Sequence, residues 1–493
     1  MRKTKIIEAN EYIKKNLCKV NPTYRLTYHA MSPIGWSNDP NGLIWYKDKF
    51  HLFHQFYPYN ASWGPMHWAH QTTTDFIKWN LENVALAPDQ PYDKDLGAFS
   101  GTSIVINEKL YLMYTAVANN LQQQAIAISN DSINFIKQKS NPVIKSNNLP
   151  QWFSINDFRD PKVFKKGNYF YVILGTKYNN HGQLIMFKSA NMVDFHYVGM
   201  LMNDYNLELS NYLLLDGVYE CPDFLEIDGY EMLIVSPQFL PQKGLEHENA
   251  HSSVYALGTL NYGNGRFAYS DLIDIDSGFD FYAPQTARLP DGRTIMIAWM
   301  QMWDRNFPTQ KDNWVGAFTL PRELRIVNDV LYQSPIKEIE NYRKNEVSYN
   351  NVCIVDNCDL DNVDGKTIEL EVEFDIGTAS KIGLQVFKNS INSTKIYFDK
   401  ITSSIVIDRS ESGIFIKGAE SNDSTRSALI SVVDNKVKLR IFLDVSSVEV
   451  FINDGIRTLT ANVYPDHDAN NIIFYVEGGI GTITNIKKYD IVV

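Results

Sequence analysis

Five times along its first three hundred residues the chain repeats one plan: an apolar run, a short polar turn and a second apolar run. The runs are Leu43 to Phe53 turning at Lys47-Asp48-Lys49, Ser103 to Tyr114 turning at Asn107-Glu108, Lys162 to Leu174 turning at Lys165 to Asn168, Asp223 to Val235 turning at Asp228-Gly229, and Thr286 to Trp299 turning at Pro290 to Arg293. Each reads as a β-hairpin. A Pro or Gly stands just before each first strand, at Pro40, Gly101, Pro161, Pro222 and Pro284, and these markers are spaced by 61, 60, 61 and 62 residues. A fixed period in a strand-only segment is the mark of radial repetition. It predicts an all-β fold, a five-bladed β-propeller. The period exceeds the roughly 40 to 50 residues of common propeller repeats, so the inter-blade loops must be generous.

The innermost strand of a blade runs along the propeller axis, so equivalent positions of different blades converge at one mouth of the channel. Immediately before the five markers stand Asn38-Asp39, Phe99-Ser100, Arg159-Asp160, Tyr219-Glu220-Cys221 and Asp280-Phe281-Tyr282-Ala283. Taken alone, Asn38-Asp39-Pro40-Asn41-Gly42 is an ordinary turn sequence, in which Asn and Asp cap their own backbone. Three acids in repeat-equivalent places are much harder to explain as caps. We therefore expect Asp39, Asp160 and Glu220 to share a catalytic pocket with Arg159 and Ser100.

Around this repeat, residues 1–23 are expected to hold a short leading helix (Thr4 to Leu17, with Ile6, Ile7, Tyr12 and Ile13 sharing a stripe), and residues 24–334 the propeller. Gln301 to Pro308 reads as a loop able to reach over the mouth, and Leu320-Pro321-Arg322-Glu323-Leu324 as the closure of the last blade. Pro335 to Asn345 has helical spacing and predicts a linker helix over 335–346. Alternating apolar runs then fill residues 347–493, which predicts a C-terminal β-sandwich.

Composition narrows the function classes. A chain of 493 residues, 44% hydrophobic, can bury more than one core, and its net charge of -11 argues against a nucleic-acid or anionic-membrane partner. A neutral substrate, or one met by a local basic pocket, fits better. Cys18, Cys221, Cys353 and Cys358 follow no zinc spacing, so they read as reduced thiols, and neither a metal nor a cofactor is expected. His51, His54, His67 and His70 read as core or pocket wall. Glu8, Glu11, Lys14 and Lys15 fall where a signal peptide would need an apolar run, and no later stretch is long and apolar enough for a membrane span, so a cytoplasmic protein is expected.

Two acids facing each other across a pocket are the equipment of glycoside hydrolysis: one attacks the anomeric carbon or activates water, and the other protonates the leaving oxygen. A third can hold sugar hydroxyls and offset oxocarbenium charge. Sugar rings also need apolar faces, and Trp36, Trp63, Phe99 and Trp299 lie in suitable loops. Cys221 stands beside the acid, but no histidine near it in sequence could activate it as a nucleophile, so its thiol is expected simply to pack.

Trp36-Ser37-Asn38-Asp39-Pro40-Asn41-Gly42, Phe99-Ser100-Gly101, Arg159-Asp160-Pro161 and Glu220-Cys221-Pro222 resemble the signature motifs of glycoside hydrolase family 32, the invertases, fructanases and sucrose-6-phosphate hydrolases. The resemblance extends over nearly the whole chain, through Trp63 to Trp68, Asp280 to Gln285, Pro321 to Leu324 and Leu439 to Gly455. It implies a five-bladed propeller followed by a β-sandwich, and a retaining β-fructofuranosidase acting on sucrose and short fructo-oligosaccharides. Asp39 would be the nucleophile, Glu220 the general acid and then base, and Asp160 the transition-state stabiliser. Asn38, Gln55, Trp63, Ser100 and Arg159 match positions lining the fructose site, with Trp36, Phe99, Tyr282 and Trp299 as further binding residues. Ser37 stands where the family most often has an apolar residue.

Retention requires the Asp39 and Glu220 carboxyl groups to lie about 5 to 5.5 Å apart, and the charge of Asp39 would help keep Glu220 protonated. The nearest alternative is the same chemistry on sucrose 6-phosphate, with Lys243, Arg305 and Lys311 as candidate phosphate-binding cations at the rim. The sandwich lowers a fructosyltransferase reading. A non-catalytic fructan-binding protein is the remoter alternative, and any homo-oligomer is expected to form through the sandwich.

Overall fold

The computed structural model describes residues 4–202, 217–269 and 271–493. Among the described residues the fold is all-β apart from a leading α-helix, Lys5–Asn16, and short 3-10 turns. Thr4 caps the helix, accepting from the Ile7 amide at 3.4 Å, with Glu8 in the first turn and Lys14 and Lys15 in the last, as the helix dipole favours. Ala9 and Ile13 pack against Ile34, Phe56, Ala69 and Val84. Ile7, expected in the buried stripe, faces solvent instead.

Beyond the helix come five sheets of four or five strands, antiparallel except for one short parallel pairing in the first. Their lead strands are Gly35–Tyr46, Gly97–Ile106, Arg159–Lys166, Tyr219–Ile227 and Tyr282–Arg288. Each lead strand packs on the next in cyclic order, and the fifth packs on the first. Trp314–Val315 pairs in parallel with Gly35–Trp36, tying the end of this region to its start, while Arg322–Val327 and Val330–Pro335 complete the fifth sheet. Lys47-Asp48 and Asn107-Glu108 turn their hairpins with positive φ at both residues, the backbone twist that matches a two-residue hairpin.

One expectation changes in an informative way. The Pro and Gly markers do not precede the lead strands but lie within them. Proline cannot donate to a ladder, and each lead strand accommodates its marker at a break in register: between Ser37 and Pro40, Phe99 and Gly101, Arg159 and Lys162, Glu220 and Asp223, and Tyr282 and Gln285. Just before the last three prolines, Asp160, Cys221 and Ala283 take φ of 63°, 46° and 50°. Bulges of this kind re-aim side chains, so the residues ahead of the markers leave the sheet plane together.

The second half forms two six-stranded antiparallel sheets. Leu370, Ile441 and Val450 from one share a core with Leu384, Ile396 and Phe474 from the other. The expected linker helix over 335–346 is only a 3-10 segment, Lys337–Tyr342. From Arg343 onward the chain is a strand through Ile354, paired with Gly481–Ile491 along its length, and that pairing overrides the local helical spacing.

The two halves meet across buried charge. Arg322 donates to Asp276, Gln333 and Thr458 through one guanidinium nitrogen and to Glu449 and Thr460 through the other, and its plane lies between the rings of Phe281 and Phe451. His29 bridges Asp444 at 2.7 Å and Glu449 at 3.0 Å. Asp280 receives Arg305 and Arg409, and Arg305 reaches on to Glu420.

Candidate active site

The bulged ends of the lead strands open on a cavity of about 510 Å³. Asn38, Asp39, Gln55, Trp63, Phe99, Ser100, Arg159, Asp160 and Glu220 all line it. These are nine of the residues expected from sequence, drawn from the first four sheets.

Cys221 links the acids. Its amide donates to Asp160 Oδ2 at 3.0 Å, and its thiol lies 3.7 Å from that oxygen and 3.4 Å from Asp39 Oδ2. Burial first, and then the charges of Asp160, Asp39 and Glu220, push this thiol well above its ordinary pKa. A thiol held protonated is a poor nucleophile, and Cys221 serves as packing and as a donor between two carboxylates.

Asp39 accepts from Ser100 Oγ at 2.6 Å through Oδ2, while Oδ1 is buried without a hydrogen-bond partner among the described residues. Burial raises the Asp39 pKa, opposed by the Ser100 hydrogen bond and reinforced by the charge of Glu220. Asp160 is pushed up to about 7: burial is the largest cause, Arg159 opposes it, and Glu220 and Asp39 add to it. Three carboxylates lining one cavity with a single guanidinium favour keeping a proton in the cluster near neutrality.

Glu220 is held from two sides. Arg159 donates to Oε1 at 2.9 and 3.3 Å, and the Tyr282 hydroxyl donates to Oε2 at 2.5 Å. The sequence places Arg159 in the same pocket as Glu220 but does not show that the two form a direct ion pair.

Three of the expected binding residues do not line the cavity. Trp36, Tyr282 and Trp299 are buried beneath it, packed with Met66, Ala283 and Met302, because their strands turn these side chains into the core. They act through others: Trp36 Nε1 fixes the Asn38 carbonyl at 2.8 Å, and Tyr282 fixes Glu220. Ser37 is likewise fully buried. Arg305, a candidate rim cation, is buried and engaged by Asp280 and Glu420, while Lys243 and Lys311 are exposed and lie outside the cavity lining. His54 and His67 are buried with pKa values lowered to about 4 by desolvation, so they are neutral core residues.

Gln122, Gln238, Phe239, His251, Trp303 and Asp304 complete the lining and were not foreseen individually. Trp303 and Asp304 belong to the loop expected over the mouth. The others stand at strand ends away from the repeat markers, where no periodic signal points to them.

A polar cavity whose walls carry paired carboxylates beside aromatic faces is the site of a glycoside hydrolase. Residues 29–335 match the glycosyl hydrolases family 32 N-terminal domain and residues 338–491 match the family 32 C-terminal domain, so the chain belongs to glycosyl hydrolases family 32. It is 34% identical to a sucrose-6-phosphate hydrolase of Zymomonas mobilis subsp. mobilis, over 92% of this chain and 89% of that one. It is 31% identical to the raffinose invertase of Escherichia coli, over 98% of each. The sucrose-6-phosphate hydrolase of Lactobacillus gasseri superposes with a TM-score of 0.85 at 28% identity, over 98% of this chain and 96% of that one.

Proposed function

We propose that the protein is a retaining β-fructofuranosidase that releases terminal fructose from sucrose and short fructo-oligosaccharides. The five sheets are read as the five blades of a propeller, residues 24–334, and the two six-stranded sheets as a β-sandwich, residues 347–493. The observation that carries the functional reading is the convergence of Asp39, Asp160 and Glu220 on one cavity from three lead strands.

In this reading Asp39 attacks the anomeric carbon with Oδ1, the oxygen left without a partner, while Ser100 orients the carboxylate through Oδ2. Glu220 gives its proton to the glycosidic oxygen as the fructosyl-enzyme forms, then takes a proton from the water that releases fructose. Arg159 and Tyr282 fix its two oxygens. Asp160 accepts from ring hydroxyls and offsets positive charge at the anomeric centre. Trp63 and Phe99, set edge to face at 5.9 Å, offer apolar surface to the fructosyl ring.

The test is turnover of sucrose, raffinose and kestose by two variants. Asp39→Asn is expected to lose at least about 10⁴-fold in kcat, as loss of a nucleophile does. Glu220→Gln should lose about 10²- to 10⁴-fold. Retained activity in either sinks its assigned role.

The relatives named sucrose-6-phosphate hydrolases favour a second reading, the same chemistry on a phosphorylated substrate. The phosphate of that substrate sits on the glucosyl half, which leaves. The wall facing the leaving group therefore bears on the choice.

A further inference from the structure

A general acid must reach the glycosidic oxygen, so the leaving sugar lies on the Glu220 side of the cavity. There the wall is built from Gln238, Phe239, His251, Trp303 and Asp304. A chain of contacts leads outward from the acid. Tyr282 donates to Glu220, the His251 ring stands 6.0 Å from the Tyr282 ring, and His251 Nε2 lies 2.9 Å from Asp304 Oδ2. The His251 side chain is only 5% exposed, wedged also against Phe239 at 5.1 Å. Asp304, by contrast, keeps 56% of its side chain open at the mouth. The result is a carboxylate pinned at one oxygen by a buried imidazole and open to solvent at the leaving-group wall.

The chemistry of that wall discriminates. A carboxylate accepts hydrogen bonds, and the hydroxyls of an uncharged sugar can donate them. Phe239 is 53% exposed, and Trp303 is backed by the stacked ring of Trp36 at 5.8 Å, so the same wall offers aromatic surface to a sugar ring. A phosphate ester offers acceptors with nearly two negative charges, and here it would meet Asp304 after passing no free cation among the described lining residues. Among the described lining residues Arg159 is the one permanent cation, and Glu220 and Asp157 already hold it. Arg305, next to Asp304 in sequence, turns away to Asp280 and Glu420.

We propose that Asp304, positioned by His251, selects an uncharged leaving sugar and rejects a phosphorylated one. The inference rests on the fructosidase reading above, and it parts this chain from the substrate in the names of several relatives.

The experiment compares kcat/KM for sucrose and for sucrose 6-phosphate in the wild type, Asp304→Asn and His251→Gln. The wild type is expected to prefer sucrose by at least about tenfold, the scale of one carboxylate acting on a near-dianion a few ångströms away in water. Added salt should shrink that preference. Asn keeps the shape and tolerates the left-handed backbone at this position, φ 58°. Asp304→Asn should therefore bring the ratio close to one, chiefly by raising turnover of the phosphorylated substrate. His251→Gln should lower the ratio in part, whereas a merely structural role would lower both substrates equally. A wild-type preference for sucrose 6-phosphate, or an unchanged ratio in Asp304→Asn, overturns this proposal while leaving the fructosidase reading intact. Fructose release from neither substrate overturns both.

Discussion

At the cavity, Asp39, Asp160 and Glu220 stand together with a single lining arginine, Arg159, which pairs with Glu220 and approaches Asp160 but not Asp39. At the seam between the two halves, Asp276 and Glu449 share Arg322, Asp280 takes both Arg305 and Arg409, and Glu449 and Asp444 also hold His29. Both regions bury acids beside arginines, yet the acids respond in opposite ways. In the cavity, burial and mutual repulsion win, and Asp39 and Asp160 are raised. At the seam burial also pushes Glu449 up, but the charge of Arg322 and the hydrogen bond of His29 outweigh it and hold Glu449 low. Glu420 is lowered in the same way, with Arg305 overcoming burial. The seam is compensated and serves cohesion; the cavity is left short of positive charge, which is what a site meeting an oxocarbenium-like transition state requires.

If this contrast is right, removing charge from the cavity costs activity and spares stability. Asp160→Asn is the sharpest case. Asn can still accept from the Cys221 amide and adopts the φ of 63° that Asp160 already takes. Turnover of sucrose should nevertheless fall by about 10²- to 10³-fold, the usual loss when one preorganised electrostatic stabiliser is removed. The stability effect has the opposite sign. A folded-state pKa raised from 3.8 to about 7 means that the contribution of Asp160 to stability is lost as pH rises across that window. At pH 8 the Asn variant should therefore melt at or above the wild-type temperature. A variant that is both inactive and clearly less stable would break the contrast.

The sequence carried the repeat because its markers are local: hairpin turns and a Pro or Gly at a constant interval need no partner to be seen. The three acids were legible for the same reason, through register rather than through any single motif. What the chain hid depends on partners far away in sequence. The strand from Arg343 to Ile354 looks helical at its start until Gly481–Ile491 pairs with it. The burial of Trp36, Tyr282 and Trp299 follows from which face their strands turn to the core, which the bulges reset. Arg305 reads as a free rim cation until Glu420, on the far half of the chain, claims it. His251 and Phe239 flank no marker, so periodicity could not announce them.

The seam should give the reverse result. Arg322→Ala leaves Asp276 and Glu449 buried together without their shared cation and removes a planar group from between Phe281 and Phe451. Breaking a buried ion pair from one side typically costs about 3 to 5 kcal/mol. Urea denaturation should read a loss on that scale, while the variant that remains folded keeps the wild-type KM for sucrose, since Arg322 does not line the cavity. An unchanged unfolding midpoint would show that the seam is not the compensated network described above.

His29 gives the smallest effect and tests the seam by pH alone. Burial lowers its pKa, but hydrogen bonds and charge from Asp444 and Glu449 outweigh burial and raise it from 6.5 to about 9. A raised imidazole contributes its full stability below the unfolded-state pKa and loses it as pH climbs through the folded-state value. The imidazolium should thus support the seam fully at pH 6, and its contribution of up to about 3 kcal/mol should fade between pH 6.5 and pH 9. Other groups titrate at alkaline pH, and Arg409, lowered to about 9 chiefly by burial, acts with the opposite sign. The decisive quantity is therefore the difference between wild type and His29→Gln. Unfolding free energies at pH 6, 8 and 9.5 should show the wild-type advantage largest at pH 6 and vanishing toward pH 9.5. A constant gap across that range would mean that His29 holds Asp444 and Glu449 as a neutral donor, and that the seam is compensated by its arginines alone.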